Sequence, residues 1–174
     1  EAAGGLKFML QVAEKILRKN PKQITFLGPI ATYTLTLMLG TGHAVYSIMP
    51  IIGDIALKNK IRPERPMAAA SVASQLALTA SPISAVVTVY LGKGLLDLFH
   101  QQGGESLTLI NILSVTLPAT FLGLMAMCFY SLRRGKELEA DPEYQRRLQD
   151  PIYRDQILNS TKTTLNDFIP QSSK

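Results

Sequence analysis

Two short clusters, Gly40-Thr41-Gly42-His43 and Thr79-Ala80-Ser81-Pro82-Ile83-Ser84, hold the groups best suited to chemistry in this sequence. Each sits within a long apolar run, where backbone outside a helix survives only if buried in protein or lining a wet cavity. A half-helix N-terminus exposes N–H groups and the positive end of the helix dipole, which suits a carboxylate. Ser81 followed by Pro82 reads as a helix start, N-cap then first turn. The Ser81 hydroxyl, with the N–H groups of Ile83 and Ser84, can hold one carboxylate, and Thr41, Gly42 and His43 can hold another. Short residues at both turns leave room for a small polar ligand, and carbonyls at the C-terminal half-ends can take a cation. The expected binding set is Thr41, Gly42, His43, Thr79, Ser81, Pro82 and Ser84.

Other polar residues in the apolar runs have plainer readings. His43 is either a substrate or proton group or an imidazole bonded to a nearby carbonyl. Thr34, Thr36, Ser71 and Ser74 read as packing or back-bonded hydroxyls. Gln75 is a ligand or interhelical glue, and Asp54 is solvated or paired with a lysine at the interface. His43 and Ser81 do not suggest a hydrolase, because no third group orients the imidazole and no nucleophile turn surrounds the serine. No enzyme, metal site or cofactor is expected; a coupling H+ or Na+ is the only inorganic participant.

The elements that must position these clusters follow from charge placement. Residues 24–57 form a 34-residue stretch with Asp54 as its only formal charge. A straight helix of that length would measure roughly 50 Å, against a hydrocarbon core of about 30 Å. Gly40 and Gly42 mark the break. Lys15, Arg18, Lys19 and Lys22 precede the stretch, and Lys58, Lys60, Arg62 and Arg65 follow it. Lys/Arg-rich loops favour the cytoplasm, so both ends belong on one side and residues 23–57 read as a re-entrant hairpin. Window 67–92 is an uncharged run broken at Pro82 into two half-helices. Window 107–132 is a further span, with Pro118 inside it. Residues 1–22 form a basic amphipathic helix lying in the interface, closed by Asn20-Pro21. Residues 58–66 are a basic cytoplasmic loop and 93–106 an outer loop, with a short helical turn over Leu95–Phe99 and Gly103-Gly104 at its bend. Residues 133–174 are a cytoplasmic connector with a short helix near Glu143–Gln149. The fold class is all-α integral membrane.

Composition agrees. The 174 residues are 47% hydrophobic with a formal charge of +5, and the 18 basic residues lie outside the three apolar windows. Their charge is a topology signal and not a nucleic-acid one, since no base-stacking or zinc pattern accompanies it. The single cysteine, Cys128, forms no internal disulfide. The chain opens on Glu1 without a signal-peptide pattern and is expected to be a piece of a longer protein. No internal repeat is visible.

With GTGHAVYSIMPIIGDIALKNKIRPERPMAAASVASQ (40–75) and ASPIS (80–84) in view, the sequence resembles the anaerobic four-carbon dicarboxylate carriers, the Dcu family. EAAGGL and AEKILRKNP near the start fit the same pattern, and the resemblance covers about residues 1–136. It implies a bacterial inner-membrane secondary transporter that exchanges fumarate, malate or aspartate for succinate in anaerobic metabolism, or takes dicarboxylates up by symport. It also implies two inverted repeats, each with a hairpin and a broken helix, of which this chain supplies about one. Partners are then a small dicarboxylate, the lipid bilayer, the remaining half of the transporter and, in a homodimer, a second copy. Gly53 departs from the pattern, which leads one to expect a larger side chain. The rival readings are a carrier of another anion, citrate or arsenite, on the same architecture, or a non-transporting dicarboxylate sensor or membrane assembly subunit.

Overall fold

The computed structural model describes residues 5–101, 108–133 and 138–154. Every regular element among them is helical: α1 Gly5–Lys19, α2 Ile24–Leu39, α3 Ala44–Lys58, α4 Glu64–Ala80, α5 Ala85–Tyr90, α6 Lys93–Gln101, α7 Leu109–Leu132 and α8 Pro142–Leu148. Short 3-10 turns at Pro21–Gln23 and Leu138–Ala140 lead into α2 and α8. The all-α expectation holds. The Gly103-Gly104 bend, Arg134 to Lys136, and the connector beyond Arg154 lie outside the described residues.

The breaks fall where small residues and proline place them. Gly40 ends α2 with φ 66°, a left-handed C-cap whose N–H bonds the Thr36 carbonyl at 2.8 Å. After three linking residues α3 begins and runs back along α2, since a Cβ on Gly28 would meet Ile52 at 3.2 Å. α4 is antiparallel to α3, with Gly53 against the Met67 sulfur, and is therefore parallel to α2. α7 runs antiparallel to α2: Phe26 meets Phe129 edge-on at 5.4 Å, and Tyr33 Oη lies 2.7 Å from Thr120 Oγ1. The N-termini of α2 and α4 and the C-termini of α3 and α7 thus share one end of the bundle.

Small residues set the packing. α4 buries Ala69, Ala73, Ala77 and Ala80 on one face, all at 1% exposure or less, so its backbone comes close to the hairpin and α7. Close approach of small residues is how helices associate where no hydrophobic drive separates them from lipid. α7 buries only a stripe, Thr120, Leu124, Cys128 and Ser131, and exposes Ile110, Val115, Phe121, Leu122 and Tyr130. Pro118 sits inside α7 without ending it. α7 and the α4–α5 unit are both long and apolar enough to cross a membrane.

α1 lies across the shared end. Leu10, Ala13 and Leu17 face the core, while Arg18 binds Glu14 at 2.7 Å and reaches Asp54 of α3 at 3.5 Å. Asp54 also takes Lys58 at 2.7 Å, which is the lysine pairing expected of it. The second segment of basic loop meets the connector: Arg62 bridges Glu64 at 2.9 Å and Asp141 at 3.6 Å. Burial raises the Tyr144 hydroxyl above its ordinary pKa, with Tyr153 adding to the rise and Lys60 opposing it. Two elements are longer or shorter than expected. α6 extends over Lys93–Gln101 where one turn was foreseen, and α4 keeps Thr79 and Ala80 helical, so the interruption is four residues, 81–84.

Candidate functional site

The hairpin tip docks on the interruption between α4 and α5. A Cβ on Gly40 would stand 2.7 Å from Ile83 Cγ1 and 2.9 Å from the Ile83 carbonyl oxygen, so backbone meets backbone there. The left-handed φ and this close approach each call for glycine. Gly42 turns its Cα toward α4, where a Cβ would lie 3.3 Å from Gln75 Nε2 and from Leu78 Cδ1. Thr41 Oγ1 accepts from the His43 N–H at 3.4 Å, and the exposed His43 ring stacks on Tyr46 at 6.0 Å, directly before α3.

Two serines build the interruption. Ser81 is extended (φ −86°, ψ 124°), fully buried, and donates its hydroxyl to the Leu37 carbonyl at 2.7 Å. That carbonyl is one of the four that the end of α2 leaves without a helical donor. Ser84 donates to the Leu78 carbonyl at 2.6 Å and accepts from the Val87 N–H at 3.3 Å, joining the last turn of α4 to the first turn of α5. Both hydroxyls are therefore engaged inside the protein.

This corrects one reading of the sequence. The N-cap of the second half-helix is Ser84 and not Ser81, and Pro82 is not its first helical residue. The Ser84 N–H bonds the Ser81 carbonyl at 3.2 Å, closing a four-residue turn with Pro82 at its second position, where proline is favoured. Ser81-Pro82 thus starts a turn, and the helix starts after it.

The structure seats the tip on the interruption through Gly40 against Ile83, sets Gly42 beside Gln75 and Leu78 of α4, and ties Ser81 to Leu37 of α2, while Thr79 sits in the last turn of α4. Ser81 and Ser84 are buried; Pro82, Ile83 and His43 are exposed; Thr41, Gly42 and Thr79 are half-buried. Thr79 bonds its hydroxyl back to the Leu76 carbonyl at 2.8 Å. Of the four packing hydroxyls, Thr34 and Ser74 bond back to Ile30 and Ser71 carbonyls, Thr36 is buried without a partner, and Ser71 is exposed. Among the described residues no three His, Cys, Asp or Glu side chains converge as metal ligands would. The tip and the interruption carry no Lys, Arg, Asp or Glu side chain.

A family model described as "Anaerobic c4-dicarboxylate membrane transporter" matches residues 1–173. The chain is 43% identical over 99% of its length to the anaerobic C4-dicarboxylate transporter DcuB of Escherichia coli O157:H7. It is 42% identical over 86% of its length to the C4-dicarboxylate transporter DcuA of Helicobacter pylori (strain J99), and 38% over 87% to DcuA of Escherichia coli K12. It spans 38% of the length of that DcuB, and 32% and 34% of the two DcuA proteins. No solved structure gives a significant match. The chain belongs to the DcuA/DcuB family of anaerobic C4-dicarboxylate membrane transporters, a family of carriers and not of enzymes.

Proposed function

We propose that this chain forms about one repeat of a secondary C4-dicarboxylate transporter in a bacterial inner membrane. The observation that carries the reading is the hairpin tip seated on an interrupted span, Gly40 against Ile83. In this reading α2 and α3 enter the bilayer from the cytoplasm and return, and the α4–α5 unit and α7 cross it. α1 lies in the interface. Arms of 16 and 15 residues reach about 24 and 22 Å, which sets the tip inside a hydrocarbon core of about 30 Å. The basic residues gathered at the open end of the hairpin support a cytoplasmic placement of that end.

Thr41, Gly42, His43, Thr79, Ser81, Pro82 and Ser84 frame the substrate site. Ser81 shapes it by tying the interruption to α2 and Ser84 by joining α4 to α5, while Thr41, Gly42, His43 and the Pro82–Ile83 backbone make the contacts to the substrate. One carboxylate of the substrate is received at the start of α3. The remaining half of the transporter contributes the opposite wall, and a coupled H+ or Na+ travels with or against the dianion. The test is counterflow in proteoliposomes containing the full-length carrier. Labelled fumarate exchanging against succinate, and not against citrate, is the expected result. Exchange of citrate or arsenite alone would make it a carrier of another anion, and binding without flux would make it a sensor.

A further inference from the structure

α4 has two faces of opposite character. One is the alanine face against the hairpin and α7. The other presents Ser71, Gln75 and Thr79 at helical spacing of four, with Ser71 and Gln75 exposed and Thr79 half-buried. A polar line of this kind, on a helix read as crossing the membrane, faces a wet cavity or protein in preference to lipid.

Gln75 is the group on that line that reaches the hairpin tip. Its Nε2 lies 3.3 Å from the Cβ position of Gly42, so a residue larger than glycine at 42 would press on it. The amide's orientation is set by its neighbour. Ser74 Oγ gives its proton to the Ser71 carbonyl at 2.7 Å, so toward Gln75 it can only accept, and the NH2 group must face it. That contact is long, 3.4 Å, and leaves the amide N–H groups available to a better acceptor. They lie beside Gly42, at the tip where the proposed site receives a carboxylate.

We infer that Gln75 is a specificity-determining residue whose amide N–H groups bind a carboxylate of the substrate at the hairpin tip. The inference rests on the transporter reading above. A neutral donor fits this place. It binds an anion through a charge-assisted hydrogen bond, and it is far cheaper to leave exposed at membrane depth than Lys or Arg when the site is empty.

The experiment measures uptake of labelled fumarate, and of its monomethyl ester, by the full-length transporter in proteoliposomes, normalised to inserted protein, at pH 5.5 and 7.5. Gln75→Met keeps the shape and removes the donors; it should raise the KM for fumarate roughly 10-fold or more and change kcat little. Gln75→Glu sets a carboxylate against the substrate's own. It should abolish fumarate uptake at pH 7.5, with partial recovery at pH 5.5 and a relative gain for the monoester. A residue acting only as glue would lower uptake of both substrates equally at both pH values. That equal loss, or an unchanged KM in Gln75→Met, overturns the inference while leaving the transporter reading intact. A wild-type protein that moves no dicarboxylate overturns both.

Discussion

Gly40→Ala puts the seat of the tip on the interruption to a direct test. Two separate penalties meet at this residue. A side chain held at φ 66° costs about 1–2 kcal/mol. The added methyl would also stand 2.9 Å from the Ile83 carbonyl oxygen, where carbon–oxygen contacts ordinarily lie at about 3.3–3.6 Å. The nearer contact, 2.7 Å to Ile83 Cγ1, can be relieved by turning the isoleucine. The carbonyl cannot move without its turn, which Ser84 holds to Ser81. The tip must therefore lift by about half an ångström, or the protein must absorb an overpacking penalty of about 1–3 kcal/mol. Strain and crowding together come to about 2–5 kcal/mol. Lifting the tip pulls Leu37 from Ser81.

The assay is thermal unfolding of the purified full-length carrier beside normalised fumarate uptake. The expected result is a clearly lower melting temperature and at least a 10-fold loss of uptake. Gly42→Ala supplies the comparison, because its methyl meets only the ends of Gln75 and Leu78, both at 3.3 Å, and no left-handed φ is involved. It should cost less on both measures. A Gly40→Ala protein that melts and transports like the wild type would mean that the tip does not rest on Ile83, and the site as described would fall.

Other outcomes follow from the same geometry. Cysteines placed at Lys19 and Lys60, with Cys128 replaced, should react from the same side with an impermeant thiol reagent; labelling from opposite sides would turn the hairpin into a single broken span. Ser81→Ala leaves the Leu37 carbonyl without its donor in a buried place, at about 1–3 kcal/mol, and should lower both melting temperature and fumarate affinity. Unchanged values for both would show that the bond does not hold the tip. His43→Ala should weaken fumarate uptake; unchanged uptake with normal insertion would remove His43 from the site.

Much of this arrangement is written in residue types that admit few alternatives. Gly40 and Gly42, in a run whose only charge is Asp54, leave little choice but a break. The lysines and arginines on both flanks point to one side for both ends, and α2 and α3 do run back along each other. The position of the second break is equally plain, but not its detail. Ser81-Pro82 satisfies both the rule for a helix start and the rule for a turn, and local sequence does not choose between them. Tertiary contact does, because Leu37 needs the Ser81 hydroxyl. The partner of each helix is hidden for a related reason. α2 packs most closely on α4, which is distant in sequence, and the signal is the spacing Ala69-Ala73-Ala77, small residues one turn apart. Gly53, out of pattern as a sequence, has a local account: a Cβ there would sit 3.3 Å from the Met67 sulfur. The place of Gln75 beside Gly42 was open to either reading because a lone amide looks the same as glue or as ligand until its neighbour's proton is traced.

The charge balance at the tip bears on coupling. A C4-dicarboxylate would bring two negative charges to a place where the described residues offer N–H groups, hydroxyls, an amide and one imidazole. Isolated ions are costly to hold away from water, and dipoles and hydrogen bonds offset only part of that cost. The basic side chains of the described residues lie elsewhere, most of them at the open end of the hairpin, about 20 Å from the tip along arms of 16 and 15 residues. At that distance their attraction is weak once solvent and counter-ions screen it. In the proposed reading, compensation arrives with the substrate, as a proton or Na+, or stands on the half of the transporter beyond this chain. His43 is the one imidazole at the tip. If it contacts a substrate carboxylate, His43→Ala should reduce the preference for the dianion over its monoester. If the compensating charge stands on the other half, His43→Ala should lower uptake of both alike.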